Sequence, residues 1–181
     1  MGKQTDETIV WTGRHLSIAN RSGWEFAKRN IDQPAVGIVA IIDDRKVVLV
    51  EQYRPPLNGN VIELPAGLSG DVQGEEQESL LSAAQRELLE ETGYTAARWT
   101  ELLRGYSSPG LTDESIVLFL AEGLTKVSAG GGDGSEHITV HEIQFERVFD
   151  WLQQCSWRAD LKLLAGLFAA AIHLRKREAE R

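Results

Sequence analysis

The stretch Ala83-Ala84-Gln85-Arg86-Glu87-Leu88-Leu89-Glu90-Glu91-Thr92-Gly93-Tyr94, "AAQRELLEETGY", decides how the rest of this 181-residue chain is read. From Ser79 to Thr92 the residues are good helix formers without a proline, and a glycine stands just past the end, so a helix is predicted. At about 100° per residue, Glu87, Glu90 and Glu91 crowd into roughly a third of its circumference. Like charges at i and i+4 repel, and negative charge in a last turn opposes the helix dipole, each at about a few tenths of a kcal/mol or more. No lysine or arginine follows three or four residues later, and Arg86 precedes Glu90 in the weaker orientation for a helical ion pair. The repulsion therefore reads as largely uncompensated. The acids also share their stripe with Leu80, Ala83 and Ala84, an odd setting for a purely solvated face. Clustered hard oxygen ligands are what Mg²⁺ or Mn²⁺ needs beside substrate phosphates, and a divalent ion turns the crowding into attraction.

Upstream, Val61–Leu64 reads as a short strand ended by Pro65 and Gly67, and Leu68–Gln77 as a loop leading into the helix. Val36–Ile42 and Val47–Tyr53 are β-branched runs joined by "DDRK", a hairpin whose near-continuous hydrophobicity implies burial on both faces. Residues 8–29 alternate short apolar groups with Asn20, Ser22 and Gly23, which predicts a small β-ribbon. Downstream, strands are predicted near Trp99–Tyr106, Ser115–Ala121 and Ile138–Ile143, with the glycine-rich "SAGGGDGSEH" as a mobile loop before the last. Phe145–Gln154 reads as an amphipathic helix, and Asp160–Arg177 as another whose apolar stripe is Leu161, Leu164, Phe168 and Ile172. Strands and helices do not alternate regularly. The expected fold is thus α/β of the α+β type, a mixed β-sheet sandwiched between helices with an N-terminal β-ribbon.

Composition narrows the partners. With 42% hydrophobic and 25% charged residues the chain is ordinary globular material. A formal charge of −8 argues against a nucleic-acid backbone or an anionic membrane as partner, though not against a small phosphate-bearing molecule. Cys155 is the single cysteine, "MGKQTDETIV" has no apolar signal core, and the longest apolar runs are too short to span a bilayer. A soluble, cytoplasmic protein is expected.

Arg86-Glu87-Leu88-Leu89-Glu90-Glu91-Thr92-Gly93-Tyr94 resembles the core of the Nudix box, R-E-U-x-E-E-x-G-U with U bulky and apolar, and Glu78 stands eight residues before Arg86 as the family's E-x₇-R requires. One departure is the ten residues between Gly67 and Glu78, where the family has five, which reads as an insertion in the loop before the helix. Segments outside the box resemble the ADP-ribose pyrophosphatase branch. These are "ELPAGL", "EQYRPP", "GWEFAKR", "GGDGSEHITV" and the "SSPGLTDES" that places Pro109 sixteen residues beyond Gly93.

This resemblance implies a division into residues 1–35, a ribbon for dimerisation and substrate contact, and residues 36–181, a Nudix hydrolase domain. It implies a homodimer acting on a nucleoside diphosphate sugar with Mg²⁺, Mn²⁺ being an alternative. By resemblance the backbone carbonyl of Ala66 and the side chains of Glu87, Glu91 and Glu136 would hold the metal, with Glu90 a further ligand or orienter. Glu136 would activate water or complete the metal site, and Arg86 would orient the carboxylates. Arg54 is a bidentate phosphate donor by type. Trp24 and Trp11 would stack an adenine, Glu25 would accept from its exocyclic amine, Arg29 would meet the base or the phosphates, and Leu111 would line the pocket. Trp99, Trp151, Trp157, His137 and His141 read as structural. The implied reaction is Mg-dependent cleavage of ADP-ribose, or a close nucleotide sugar, to AMP and ribose 5-phosphate. The alternatives are a GDP-mannose-type hydrolase and a non-catalytic ADP-ribose sensor.

Overall fold

Backbone runs that are apolar on both faces can only be satisfied inside a covered sheet, and this is where they lie. The computed structural model describes residues 6–31, 33–43, 45–70, 77–132, 137–156 and 158–180. Strands β1 (Glu7–Thr12), β2 (Leu16–Arg21) and β3 (Trp24–Arg29) make an antiparallel three-stranded sheet, the expected ribbon. Then follow β4 (Ala35–Ile41), β5 (Lys46–Arg54), β6 (Gly59–Glu63), β7 (Ala66–Leu68), α1 (Leu80–Thr92), β8 (Tyr94–Tyr106), β9 (Ser115–Lys126), β10 (Thr139–Gln144), α2 (Val148–Gln154) and α3 (Leu161–Ala179). Strands β4 to β10 form one sheet in the order β10-β5-β4-β9-β8, with β6 on β5 and β7 on β4. Its β4–β9 pairing is parallel and its other strand pairs are antiparallel, so the sheet is mixed.

Alternation along β4 splits the core in two. Val36, Ile38 and Ala40 pack with Ala83, Ala84 and Leu88 of α1, while Val39 faces the other way onto Val148 and Leu152 of α2 and Leu163, Leu167 and Ala170 of α3. One helix covers one face and two cover the other.

Two expectations need correction. The buried stripe of α3 is Leu163, Gly166, Leu167 and Ala170, whereas Leu161, Phe168 and Ile172 are 77%, 68% and 41% exposed. The glycine at 166 lets the helix lie close on Leu64, Val39 and Leu118, which a large residue there would prevent. The turn "PAGL" also contains a short strand, β7, paired to β4 through Val36–Gly67 and its neighbours. Among the described residues no helix is long and apolar enough to cross a membrane.

Candidate functional site

Helix α1 carries the acids to the edge of β7. Ser79 caps its start, its side chain accepting from Ser82 N at 3.1 Å, and Gly93 closes its end in the left-handed region. Of its three acids, Glu87 and Glu91 are buried and Glu90 is exposed. Burial of two like charges one turn apart is costly unless each is bonded. Glu91 Oε2 accepts from the Ala66 backbone N–H at 3.1 Å. Glu87 lies against the backbone of Gly67, where a built Cβ would overlap its carboxylate.

Arg86 does more than the helical spacing predicted. Its Nη1 donates to Glu87 Oε1 at 2.8 Å and to Glu90 Oε2 at 3.2 Å. Its Nε and Nη2 reach the two oxygens of Glu78 at 3.2 and 3.1 Å, and Nη2 also reaches Leu68 O. The crowding is therefore compensated, contrary to expectation, because the guanidinium fork curls back along the helix instead of acting as a single i,i+4 partner. Burial works against the Arg86 charge, but the hydrogen bond to Glu78 and the charges of Glu87 and Glu78 outweigh it and raise its pKa.

These groups line a cavity of about 340 Å³. Ala66, Glu87, Glu90, Glu91 and Arg86 border it, as do Arg54 and Arg29. Both of the last two are engaged: Arg54 forks onto Glu63 at 2.6 and 2.7 Å, and Arg29 Nε donates to Glu114 Oε1 at 2.6 Å. Sequence reasoning missed Glu63, Gln52, Glu114 and Lys162, which border the same space. Glu63 was visible as the first letter of "ELPAGL"; Lys162 carries no signal short of the fold.

Other expected residues lie elsewhere. Trp24 borders a separate cavity of about 370 Å³ with Arg21, Phe26, Tyr106 and Pro109, its Nε1 donating to Gly110 O at 3.3 Å. Glu25, between Trp24 and Phe26 on β3, does not border that cavity. Trp11 is exposed on β1, its ring over Gly13. Leu111 is exposed, and its carbonyl accepts from Ala27 N at 2.8 Å, tying the loop after β8 to the ribbon. His141 Nε2 sits 2.9 Å from Glu51 Oε2 with its ring on Trp151, and Trp99 packs edge-on against Phe119. Glu136 and Trp157 lie outside the described residues. The start of the loop expected to be mobile is tied down. Gly131 N and Gly132 N donate to Glu91 O and Glu90 O at 2.8 and 3.1 Å, supplying α1 with donors its last carbonyls lack.

The donor chemistry suits a hard divalent cation: buried carboxylates, a backbone carbonyl segment and a glycine that lets them meet. As they stand, no three such groups among the described residues are close enough to grip one, since Glu87 and Glu90 lean to Arg86 and Glu91 to Ala66 N.

A profile of the NUDIX domain matches residues 32–163. The chain belongs to the Nudix family. It is 37% identical over 121 residues to the methanol dehydrogenase activator of Bacillus methanolicus, covering 66% of this chain and 63% of that one. It is 41% identical over 113 residues to the ADP-ribose pyrophosphatase of Bacillus subtilis (strain 168), covering 62% and 58%. The matched segments thus span less than two thirds of the length of either relative. A crystal structure of an ADP compounds hydrolase shares the fold, with a TM-score of 0.76 over 95% of this chain and 93% of that one at 22% identity. Within the Nudix box, the Glu78–Arg86 contact shows that the longer spacing after Gly67 leaves the two ends of E-x₇-R in register.

Proposed function

We propose that this chain is a divalent-metal-dependent pyrophosphohydrolase that cleaves ADP-ribose, or a close nucleoside diphosphate sugar, to a nucleoside monophosphate and a sugar phosphate. The observation that carries the reading is the convergence of Glu87, Glu91 and the Ala66–Gly67 backbone on one cavity that Arg54 and Arg29 also border. Among the described residues, five carboxylates (Glu63, Glu87, Glu90, Glu91, Glu114) and four cations (Arg29, Arg54, Arg86, Lys162) line that cavity. A diphosphate would meet an excess of negative charge there, so an added cation is required for it to bind. Mg²⁺ held by Glu87, Glu91 and the Ala66 carbonyl, with Glu90 beside them, would neutralise the phosphoryl oxygens.

The chain's own residues have the remaining tasks. Arg86 holds the carboxylates in place, and Arg54 and Arg29 present guanidinium groups to the diphosphate. Hydrolysis adds water across one P–O–P link, so a base must take a proton from that water while the leaving phosphate departs. Glu136 is the base proposed from the sequence, with Glu90 the exposed carboxylate at the cavity. The name of the Bacillus subtilis relative supports ADP-ribose as substrate.

We further infer a two-part chain, residues 1–35 as a substrate and dimerisation arm and 36–181 as the hydrolase domain, assembled as a C2 homodimer. Exposed Ile9, Val10, Trp11, Leu16 and Trp24 on the ribbon support a partner surface there.

The test is Glu91→Gln with a panel of ADP-ribose, GDP-mannose and ADP-glucose, read by product identity. Turnover should fall by about two orders of magnitude or more with the fold intact. Near-normal turnover of the variant at limiting Mg²⁺ would remove this face as the metal site, and tight binding of ADP-ribose without cleavage by the unmodified chain would replace the hydrolase with a sensor.

A further inference from the structure

We propose that residues 126–132, at the end of β9 and just beyond it, are a positioning device for the carboxylate face. They fix the last turn of α1, so that Glu90 and Glu91 meet a divalent cation from one backbone placement. Lys126 and Gly130 are the positioning residues, and neither borders the glutamate cavity. The inference rests on the pyrophosphohydrolase reading.

A helix leaves its last four carbonyls without donors of its own, and its end frays unless other groups supply them. At the end of α1, Gly93 N donates to Leu89 O at 2.8 Å. Glu90 O then accepts from Gly132 N at 3.1 Å, Glu91 O from Gly131 N at 2.8 Å, and Thr92 O from Lys126 Nζ at 2.7 Å. Gly93 O accepts from Val127 N and Ser128 N at 2.8 and 3.2 Å. Every carbonyl from Glu90 to Gly93 is thus taken by residues 126–132, in the turn that carries two of the site's acids. The bonds hold main-chain atoms, so the carboxylates can turn to a cation while their backbone stays in place.

Charge points the same way. The C-terminal end of a helix is its negative pole, and two carboxylates in the last turn add to it. The Lys126 ammonium and four backbone N–H dipoles stand on that pole. The ammonium also lies 4.5 Å from the centre of the Tyr94 ring, which keeps it over the helix end. Such an approach needs bare backbone. A Cβ at Gly130, where φ is +71°, would stand 2.4 Å from Thr92 C and 2.6 Å from Gly93 N. A Cβ at Gly93 would stand 2.2 Å from Ser128 O. The glycine run that reads as a mobile loop is, at its start, a close-packed clasp. Removing a group that orients metal ligands costs about 10–100-fold in affinity or activity.

The experiment measures the Kd of Mn²⁺ by electron paramagnetic resonance, kcat and KM for ADP-ribose, and the melting temperature. It uses the unmodified enzyme, Lys126→Met, Lys126→Arg and Gly130→Ala, with Leu167→Ala, in the core on the other face of the sheet, as the control for lost stability alone. Lys126→Met and Gly130→Ala should each raise the Mn²⁺ Kd and lower kcat about tenfold or more, with KM within about twofold of the parent. Lys126→Arg should recover part of both losses. Leu167→Ala should lower the melting temperature and leave the Mn²⁺ Kd unchanged. A parental Mn²⁺ Kd in Lys126→Met overturns the inference, including where Gly130→Ala does not fold. So does an equal rise in Leu167→Ala, which would make the Kd a report of stability. The pyrophosphohydrolase reading fails differently: the unmodified enzyme then binds Mn²⁺ but hydrolyses none of ADP-ribose, GDP-mannose and ADP-glucose, and the clasp is still judged by the Mn²⁺ Kd of its variants. An unmodified enzyme that binds no Mn²⁺ overturns both.

Discussion

The carboxylate of Glu87 occupies the space that any side chain at position 67 would need: a Cβ on Gly67 would overlap its carbon and both oxygens. Glycine in "ELPAGL" and glutamate in the helix twenty residues later are one feature of the molecule. Gly67→Ala should therefore push Glu87 off the cavity wall. The atoms displaced are the end of a flexible side chain, so the melting temperature should change little. Turnover should fall about 100-fold, the cost of a misplacement of about 1 Å at a reacting centre. Full activity in Gly67→Ala would show that the seat of Glu87 does not matter to the chemistry.

The second prediction separates the two faces of α3. Leu167 is 2% exposed in the core, so Leu167→Ala should cost about 2–5 kcal/mol. Phe168, next to it, is 68% exposed, and Phe168→Ala should lie within about 0.5 kcal/mol of the parent. Chemical denaturation of both variants checks this. Equal losses would mean that the exposed stripe is covered in solution.

That helix also shows where sequence reading ended. Its existence and its start near Asp160 were legible, because helix formers and an apolar period are local signals. Its buried face was not, because size was taken for burial while close packing on the sheet demanded a glycine at 166. The box was legible for a similar reason: its glutamates, its arginine and its terminal glycine lie on one continuous helix. What could not be read were partners that only the fold brings together, such as Lys162 from α3 and Glu63 from β6, or the Arg29–Glu114 pair that joins the ribbon to the sheet.

A third prediction concerns acid. Glu122, on β9, accepts two bonds from Arg177 of α3 at 2.8 and 2.7 Å. The hydrogen bond to Arg177 chiefly holds its pKa below the usual carboxylate value, against the opposing effect of burial. A folded-state pKa below the unfolded one gives stability that is complete above the unfolded value, about 4.3, and is lost as pH falls through the folded value. Glu122→Gln should therefore be less stable than the parent at pH 7, with the difference shrinking below a pH of about 4. Urea midpoints across that range measure it. A difference that stays constant would mean that the pair does not sense acid.

The last prediction concerns Trp24, which the family resemblance makes a base-stacking residue. At 64% exposed it is no core residue, and its Nε1 makes a long bond to Gly110 O, 3.3 Å. Trp24→Ala should therefore leave the melting temperature nearly unchanged while weakening adenine-containing substrates by roughly 1–3 kcal/mol, expressed in KM. Because Trp24 does not border the glutamate cavity of its own chain, the stacking partner it offers would serve a second chain. Mixing decides between the two arrangements. In a heterodimer of Trp24→Ala and Glu91→Gln chains, one site would combine an intact Glu91 with the other chain's intact Trp24, so low KM should return at that site. If Trp24 serves its own chain, every site in the mixture carries one lesion and KM stays high wherever turnover survives. An unchanged KM for ADP-ribose in Trp24→Ala alone would take the tryptophan out of the site altogether.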